Sequence, residues 1–481
     1  MNINDFRIEK NSDVYSQSEK LVRFINEKAE QDTPKKIIRA MSDATDIPDD
    51  VIKFEFKRFL AINHNFQIGK FDKFFKISNI FLYSLYYFIT LIFICIFSKK
   101  RKEKEEVDII FDEIFSTAEI PRILKIKEKF NSYKIISNLA LEKNFNHMIY
   151  SKHKGCVRNF LFPKIYKLFI LCFYKIFKLS LLEGTNFIPF ALDVLKKAFK
   201  YETIFQQVQA KFLYQERHYT TSAIKNFLFK KYGGKICCCT QRVLIHLGRT
   251  SFFICADIFF SFGNQSASIL KLTGSNIKKI IPIGSVTYNS AWIESEKIPT
   301  PKYDVLYLGG IRVPFFSTDV NYLNNYYEQL NWLKKLKKDF PSLKIAIKHH
   351  ENHDYFDNRE IQIMKNSGIE TIIKSKEGKT NYSYGFANNA LIRLTWASSM
   401  GYELIGHGLP CYYLDPNLEN VSFLHKENYN KIWRIESYLK LKEKVKSIID
   451  KKNIEPTYDK NDFCLDSQNV SNRIFDALKQ S

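Results

Sequence analysis

Short apolar segments alternate with helical stretches twice along this chain, and this pattern constrains its fold more than any other feature. The first series of predicted strands is 107–111, 133–139, 210–216, 235–240, 256–263 and 278–285. The second series is 304–310, 343–350, 369–374, 390–396 and 410–415. Because helices separate most of the consecutive strands, each series predicts a parallel sheet. We therefore predict an α/β chain with two facing Rossmann-like domains and a cleft between them.

The strand pattern and the charge pattern together divide the chain into five parts. With 481 residues, 45% of them hydrophobic, the chain is too long for one ordinary α/β domain. The predicted parts are an N-terminal helical extension (1–76), a hydrophobic helix (77–98), an N-terminal Rossmann-like domain that includes a basic amphipathic helix at 158–182 (99–285), a C-terminal Rossmann-like domain (286–428) and C-terminal helices (429–481). No motif within the first part indicates a role.

The cysteines and the N-terminus predict a reducing compartment. Nine cysteines are scattered along the chain without the paired CxxC spacing of a zinc site. Three of them, Cys237 to Cys239, lie in a predicted strand, which favours small buried side chains. The N-terminus shows no basic segment followed by an apolar core, so we expect no signal peptide and a cytosolic location.

The net charge of +22 favours an anionic partner, whether phospholipid, nucleic acid or a phosphate-bearing substrate. Aromatic residues make up 15% of the chain, which excludes a largely disordered protein. Much of the lysine excess flanks 77–98 or lies within 158–182, among long apolar runs, and no nucleic-acid recognition motif is present. We therefore expect an anionic membrane surface, and not nucleic acid, to be a partner.

Residues 77–98 contain no charged side chain and are long enough to cross a hydrocarbon core of about 30 Å as a helix. Basic residues flank both ends, so charge asymmetry gives no orientation. Three interpretations stay open. The segment can span the membrane, lie in the plane of its surface, or pack as a core helix.

In the segment 158–182, four lysines fall within an arc of about 80° when it is drawn as a helix. They are Lys164, Lys167, Lys175 and Lys178. A lysine stripe on an otherwise apolar helix is typical of an interfacial membrane helix. The alternative is a surface helix docked on the core with solvated lysines.

Polar residues or glycines follow four strands of the second series, where ligands of open parallel sheets bind. These candidate site residues are Gly309, Gly310, His349, His350, Ser398, Ser399, Glu403 and Asp415. Glycines allow the backbone to approach a ligand closely. The two serines precede a predicted helix, where free N–H groups favour a phosphate, although one of them can serve only as an N-cap.

Glu403 and the histidines each allow more than one role. Glu403 complements the helix dipole and can also receive a ribose hydroxyl. His349 or His350 can donate a proton to a phosphate leaving group, or can be a solvated loop residue. Because neighbouring residues at a strand end diverge and no further ligand set completes a tetrahedron, we predict no metal site.

Residues 256–424 resemble the donor-side half of GT-B glycosyltransferases that build bacterial capsule, lipopolysaccharide and other surface carbohydrates. The matching segments are ADIFFSFG (256–263), IPIGS (281–285), KHHENH (348–353) and NYSYGFANNALIRLTWASSMGYELIGHGLPCYYLDP (381–416). The family pattern is a His motif after one strand, a Ser-Ser and Glu helix start, and Gly-x-Pro before the last strand. Sialyltransferases, Kdo transferases and teichoic-acid glycerophosphotransferases, which use cytidine nucleotides, share the His and Ser-Ser arrangement.

The resemblance implies a donor domain at 286–428 and an acceptor domain at 99–285. It implies that His349 or His350 assists the leaving phosphate and that the two serines bind it. It also implies a nucleotide-sugar donor, linked to CMP or CDP, with no separate cofactor. The usual His-Pro is replaced by two histidines here, and no His-Gly follows Gln241, so the first domain matches the family only loosely.

An inverting transferase also needs a carboxylate that deprotonates the acceptor hydroxyl. Glu216, at the end of a predicted strand, is the first candidate for this catalytic base, and Asp112 is the second. A helix-capping or solvated carboxylate is the alternative for both.

These inferences predict a metal-independent glycosyltransferase that transfers a sugar from a nucleotide-sugar donor to a membrane-associated glycan or lipid-linked acceptor. Its expected role is surface polysaccharide biosynthesis at the cytoplasmic face of the inner membrane, as a peripheral or single-span protein. Two alternatives stay open. One is a sugar-nucleotide 2-epimerase of the same fold, and the other is a non-catalytic membrane-associated assembly protein.

Overall fold

A computed structural model shows the predicted α/β class with two parallel-sheet domains. The structure describes residues 14–65, 70–71, 76–96, 98–99, 104–114, 120–137, 148–150, 156–157, 162–245, 250–295, 302–309, 320–349, 358–372, 382–396, 398–417, 427–451 and 457–481. Two large parallel sheets, of seven and six strands, lie within these ranges, which confirms an α/β protein with two Rossmann-like domains. Two candidate residues, Gly310 and His350, lie outside the described residues.

Each strand predicted from the sequence coincides with a strand of the structure. The strands are β1 (His64–Asn65), β2 (Lys70–Phe71), β3 (Ser98–Lys99), β4 (Glu105–Ile114), β5 (Tyr133–Ser137), β6 (Met148–Tyr150), β7 (Cys156–Val157), β8 (Val208–Gln215), β9 (Ile236–Thr240), β10 (Cys255–Ser261), β11 (Asn276–Pro282), β12 (Val305–Leu308), β13 (Ile345–Lys348), β14 (Glu370–Ile372), β15 (Ile392–Thr395), β16 (Cys411–Leu414) and β17 (Arg434–Ile435). Strands β6 and β17 extend the two large sheets beyond what the sequence pattern predicts, and two-stranded sheets are formed by β1 with β2 and by β3 with β7.

The helices of the described chain alternate with these strands. They are α1 (Val14–Ala29), α2 (Asp32–Thr45), α3 (Asp49–Asn63), α4 (Ile80–Ile96), α5 (Ile120–Lys127), α6 (Phe162–Glu183), α7 (Ile188–Gln207), α8 (Ala223–Lys231), α9 (Asn264–Leu270), α10 (Val286–Ser295), α11 (Val320–Asp339), α12 (Asn358–Met364), α13 (Tyr382–Asn389), α14 (Met400–Gly406), α15 (Glu427–Trp433), α16 (Tyr438–Ile449), α17 (Lys460–Phe463) and α18 (Val470–Lys479), with 3₁₀ turns at Ile77–Asn79 and His218–Thr220.

The first sheet has seven parallel strands in the order β11-β10-β9-β8-β4-β5-β6. Along the chain, β4 to β6 extend the sheet toward one edge, and β8 to β11 extend it toward the other. The strand order therefore reverses between β4 and β8, which pair from Glu105↔Val208 to Asp112↔Gln215. A crevice for ligands forms beyond the carboxyl ends of the strands at such a switch point.

The second sheet has six parallel strands in the order β14-β13-β12-β15-β16-β17, and its order reverses between β12 and β15. These two strands pair up to Leu308↔Thr395, where the Thr395 hydroxyl also donates to the Leu308 carbonyl at 2.8 Å. Four of the strands are buried at every position, as expected when helices cover both faces of a parallel sheet.

The N-terminal helices α1 to α3 belong to the core of the first domain. Phe56 of α3 lies in the same buried cluster as Leu213 of β8. Arg58 is 1% exposed, and its guanidinium donates to the carbonyls of Phe252 and Tyr219 at 2.9 and 2.8 Å. These long-range hydrogen bonds attach α3 to the loops of the first sheet.

The C-terminal helix α18 also packs on the first domain, although it follows the second domain in the chain. Ile474 and Leu478 share a buried cluster with Ile109 and Phe111 of β4. The chain therefore returns from the second domain to the first before its last helix.

Helices α4 and α6 form an antiparallel pair on the first domain. Phe81 contacts Phe177 and Phe88 contacts Phe173, with ring centroids 6.2 and 4.6 Å apart, so the two helices run in opposite directions. Tyr87 is fully buried between them and the core. Within the described ranges, no helix is both long enough and apolar enough to cross a membrane.

Seven cysteines whose side chains the structure describes are free thiols: Cys172, Cys237, Cys238, Cys239, Cys255, Cys411 and Cys464. Cys237 to Cys239 lie in β9 and are fully buried, which confirms that they are core residues of a strand.

Candidate functional site

Glu216 follows β8 at the switch point of the first sheet, and three arginines surround its carboxylate. Arg122 of α5 donates to Oε1 at 3.1 Å, and both side chains are buried. Arg217 Nε lies 3.7 Å from Oε2, and Arg242 Nε lies 4.0 Å from Oε1. Since one carboxylate faces three guanidinium groups, the cluster has an excess of positive charge.

The second carboxylate oxygen of Glu216 is buried, and no described group donates a hydrogen bond to it. Buried carboxylate oxygens normally accept hydrogen bonds because their desolvation is costly. At 3.7 Å, Arg217 contributes charge to Oε2 but is too distant for a hydrogen bond. A hydroxyl group of a ligand would supply the missing donor.

Local contacts hold the arginines beside one another. The backbone N–H of Arg242 donates to Nδ1 of His218 at 3.1 Å, and its guanidinium donates to the hydroxyl of Thr287. Burial lowers the pKa of Arg122, and the charge of Arg242 lowers it further, whereas Glu216 raises it. Like charges held together in this way favour a polyvalent anion such as a diphosphate.

Glu403 of α14 belongs to the second domain but contacts the first. Its carboxylate accepts a hydrogen bond from Tyr384 at 2.7 Å and another from the hydroxyl of Ser285. Burial raises the pKa of Glu403, although the two hydroxyls and the charges of Arg242 and Arg122 lower it in part. Glu403 and the arginine cluster therefore form one interdomain site.

His407 follows α14 and lies at the same interdomain boundary. Its ring stacks on Tyr288 with centroids 3.8 Å apart. Nδ1 lies 2.7 Å from the Glu403 carbonyl, and Nε2 accepts the backbone N–H of Ser467 at 3.2 Å. Because Nε2 accepts, the proton of the neutral ring is on Nδ1. Burial lowers the pKa of His407, which favours this neutral form.

The switch point of the second sheet brings three predicted donor-binding residues to one edge. Gly309 follows β12 and donates its N–H to the Lys348 carbonyl at 3.2 Å. Ser398 follows β15, and its hydroxyl accepts the Met400 N–H at 3.2 Å, as a helix-capping serine does. Ser399 is partly exposed at the N-cap position, and its side chain makes no capping bond.

Two further predicted residues contact their own domain instead of this edge. His349 is 1% exposed, and its Nε2 lies 3.6 Å from a carboxylate oxygen of Glu360 on α12. Asp415 is fully buried and pairs with Arg434 at 2.8 Å. In this conformation both side chains have partners within the second domain.

Asp112, the second candidate for the catalytic base, lies in a buried ion pair. Lys225 donates to its carboxylate at 2.5 Å and to the Thr220 carbonyl at 3.0 Å. The carboxylate of Asp112 is therefore paired with a buried cation, as the carboxylate of Glu216 is with Arg122.

Five residues of the interdomain site were not predicted from the sequence. They are Arg122, Arg217, Arg242, Ser285 and Tyr384. Arg217 and Arg242 come within two positions of a strand end, which is the same signal that identified the candidates of the second domain. The helical positions of Arg122 and Tyr384 carry no such local signal.

Other features of the described chain lie away from this site. A groove of about 850 Å³ runs between α1 and the residues that follow α9, and no candidate site residue lines it. Within the described ranges, no three His, Cys, Asp or Glu side chains are grouped so that they could hold a metal ion.

No family model and no curated protein matches this chain. Several solved structures resemble it at low identity. S. aureus MnaA, in a co-structure with UDP, is 12% identical with a TM-score of 0.45, and the match covers 77% of this chain and 96% of that chain. The UDP-GlcNAc 2-epimerase from Methanocaldococcus jannaschii is 13% identical with a TM-score of 0.45, covering 78% and 100%. The wall teichoic acid polymerase TagF is 10% identical with a TM-score of 0.40, covering 84% and 98%. Since these are likenesses of chain architecture, function must be argued from the site itself.

Proposed function

We propose that this chain is a GT-B-type glycosyltransferase that transfers a sugar from a nucleotide-sugar donor to a membrane-associated glycan or lipid-linked acceptor in surface polysaccharide biosynthesis. The observation that carries this proposal is which residues lie at the two switch points, where the strand order of each sheet reverses. Glu216 and its arginines follow one of them, and Gly309 with Ser398 follows the other. Ligands of open parallel sheets bind at these points.

In the proposed reaction, the acceptor oxygen forms a bond to the anomeric carbon while the bond from that carbon to the phosphate oxygen breaks. Glu216 takes the hydroxyl proton at Oε2, the oxygen that lacks a hydrogen bond within the described residues. The nucleotide leaves as a phosphate anion. Arg122 and Arg242 stabilise the charge that develops on the leaving oxygen, and Ser399 binds the phosphate from the second domain.

Access to Glu216 is controlled by the arginines. Its side chain is 3% exposed, whereas those of Arg217 and Arg242 are 21% and 22% exposed. The two arginines therefore form the outer wall of the cluster. A donor phosphate that pairs with them would draw them away from Glu216 and open its carboxylate to the acceptor.

The variant Glu216→Gln tests this assignment. We expect it to lower kcat/KM for sugar transfer by about 10²–10⁴-fold, the usual contribution of a general base. Purified protein is incubated with CMP-, CDP-, UDP- and GDP-linked sugars and membrane extract, and both released nucleotide and glycosylated product are measured. Glu128→Gln is the matched control because Glu128 is exposed after α5. Equal rates for the two variants, or no transfer from any donor, would contradict the proposal.

A sugar-nucleotide 2-epimerase is the second candidate, and one observation favours it. The interdomain site contains two buried carboxyl groups, Glu216 and Glu403, which can exchange protons with a bound sugar. Epimerisation at the carbon next to the anomeric centre replaces a hydrogen by one from solvent. Incubation of UDP-GlcNAc in D₂O therefore separates the candidates, since an epimerase yields a deuterated 2-epimer and a transferase does not.

A further inference from the structure

The outer surface of α4 and α6 is unusually apolar for a surface in contact with water. Six large apolar side chains on α4 and five on α6 are exposed, whereas the rest of the described chain exposes four. We call these eleven residues the apolar face. They are Phe81, Leu82, Leu85, Tyr86, Ile89, Ile92, Ile170, Leu171, Tyr174, Leu181 and Leu182.

The apolar face is continuous and is separate from the side that packs on the core. With 3.6 residues per turn, its members on α4 fall within an arc of about 140°, and those on α6 within about 120°. The opposite sides are buried, with Tyr87 and Leu91 on α4 and Phe169 and Ile176 on α6. Folding therefore buries one side of each helix and leaves most of the other side exposed.

The charges around the apolar face are mostly positive. α4 contains no charged residue, and α6 contains only lysines before its last residue, Glu183. Lys175 and Lys178 are exposed, and Lys178 lies within the apolar arc of α6. On the neighbouring α7, Lys196 stands 4.2 Å from the ring centroid of Tyr86 and donates to its hydroxyl at 3.0 Å.

This combination fits a lipid surface better than a protein partner. Leucine, isoleucine and phenylalanine side chains reach the acyl boundary, while tyrosine and lysine remain at the level of the headgroups. The four lysines of α6 outnumber its one acidic residue, which favours anionic lipid. A second copy of the chain would instead bring its own lysines against Lys175 and Lys178.

We infer that the apolar face docks in the plane of a bilayer that contains anionic lipid. Apolar side chains enter the interface, and the lysines pair with lipid phosphates. This inference does not depend on the proposed activity, because it rests on α4, α6 and α7 and includes no residue of the interdomain site.

Co-sedimentation of the full chain with vesicles tests the docking. We expect strong binding to phosphatidylcholine vesicles that contain phosphatidylglycerol, and weak binding to pure phosphatidylcholine or at high salt. The double variant Leu82→Glu with Leu182→Glu should bind at least tenfold more weakly. Its matched control is Leu391→Glu with Leu439→Glu, which are exposed apolar residues elsewhere, at 51% and 69%.

A second pair of variants isolates the charges. We expect Lys175→Glu with Lys178→Glu to weaken binding to the anionic vesicles by about 25-fold or more, at roughly fivefold for each lysine removed. The matched control is Lys334→Glu with Lys338→Glu, which makes the same change in net charge on the exposed side of α11. This control should bind the vesicles as tightly as the unmodified protein does.

Three results would overturn the inference. One is equal binding by the apolar-face variant and its control. Another is binding to neutral vesicles as tight as binding to anionic ones. The third is a dimer that the apolar-face variant dissociates while no vesicle binds, which would assign the face to a second copy. Unchanged thermal midpoints of the variants establish that a loss of binding is not a loss of fold.

Discussion

At the scale of single residues, the two buried glutamates of the interdomain site have different partners. Glu216 pairs with guanidinium groups, whereas Glu403 accepts hydrogen bonds from two hydroxyls and has a pKa that burial raises. Environments that differ in this way can give one carboxyl group the role of a base and leave another able to hold a proton. This difference supports Glu216, and not Glu403, as the base.

His407 gives a residue-scale prediction about pH. Its folded pKa is lowered by burial, so the unfolded chain takes up a proton near pH 6.5 while the folded chain does so only at lower pH. As the pH falls below about 6.5, this histidine therefore lowers the free energy of unfolding, by at most about 1.4 kcal/mol per pH unit. The stability that it contributes is fully present above that pH.

The variant His407→Asn isolates this effect because its amide N–H can replace the Nδ1 donor but does not titrate. Urea unfolding at pH 5.5 and 7.5 should show a smaller loss for the variant than for the unmodified protein. If both lose the same free energy of unfolding, His407 does not have the assigned role.

At the scale of elements, the N-terminal helix α3 caps a helix of the first domain. Glu55 accepts hydrogen bonds from the Ser222 hydroxyl and the Ala223 N–H, both at 2.8 Å, at the start of α8. Lys197 of α7 donates to its other oxygen at 2.7 Å. Burial alone raises the pKa of Glu55, but the charge and hydrogen bond of Lys197 lower it overall. One carboxylate thus joins α3, α7 and α8.

We predict that Glu55→Gln lowers the free energy of unfolding by about 1.5–3 kcal/mol, because hydrogen bonds to a buried charged group are lost. Urea denaturation measures the change. Glu30→Gln is the control, since Glu30 forms an exposed pair with Lys53 and should contribute about 0–1 kcal/mol. A loss for Glu55→Gln no larger than that of the control would show that α3 is not held by this carboxylate.

Most strands of the two large sheets could be predicted from the sequence because they contain short apolar runs, and so could Cys237 to Cys239 as buried residues of β9. The helix α2 was not predicted, although its residues Ile37, Ile38 and Met41 follow helical spacing. Side-chain directions were beyond the sequence pattern. His349 lies 3.6 Å from Glu360 of α12, and this contact between residues of different elements cannot be predicted from the residues around His349.

At the scale of the whole molecule, the domains are tied by the segment that follows α17. Leu465 donates its N–H to Phe262 of the first domain at 2.9 Å, and the Ser467 N–H donates to His407 of the second. Arg473 of α18 then donates to the Ile283 carbonyl at 2.8 Å. This segment is therefore hydrogen-bonded to both domains, and under the proposed function a donor bound between them should stabilise both together.

Nucleotide-dependent thermal unfolding tests whether the interdomain site binds a nucleotide-sugar donor. We expect one of CMP, CDP, UDP or GDP to raise the unfolding midpoint of the full chain, since a ligand at a hundred times its Kd adds about 2.7 kcal/mol of stability. Arg242→Met should raise the Kd of that nucleotide by about 10–150-fold, as expected for the loss of a charge-assisted hydrogen bond. The exposed control Arg39→Met should leave the Kd unchanged. The contradicting result is an unmodified protein whose midpoint no nucleotide raises, or a midpoint shift that Arg242→Met leaves intact.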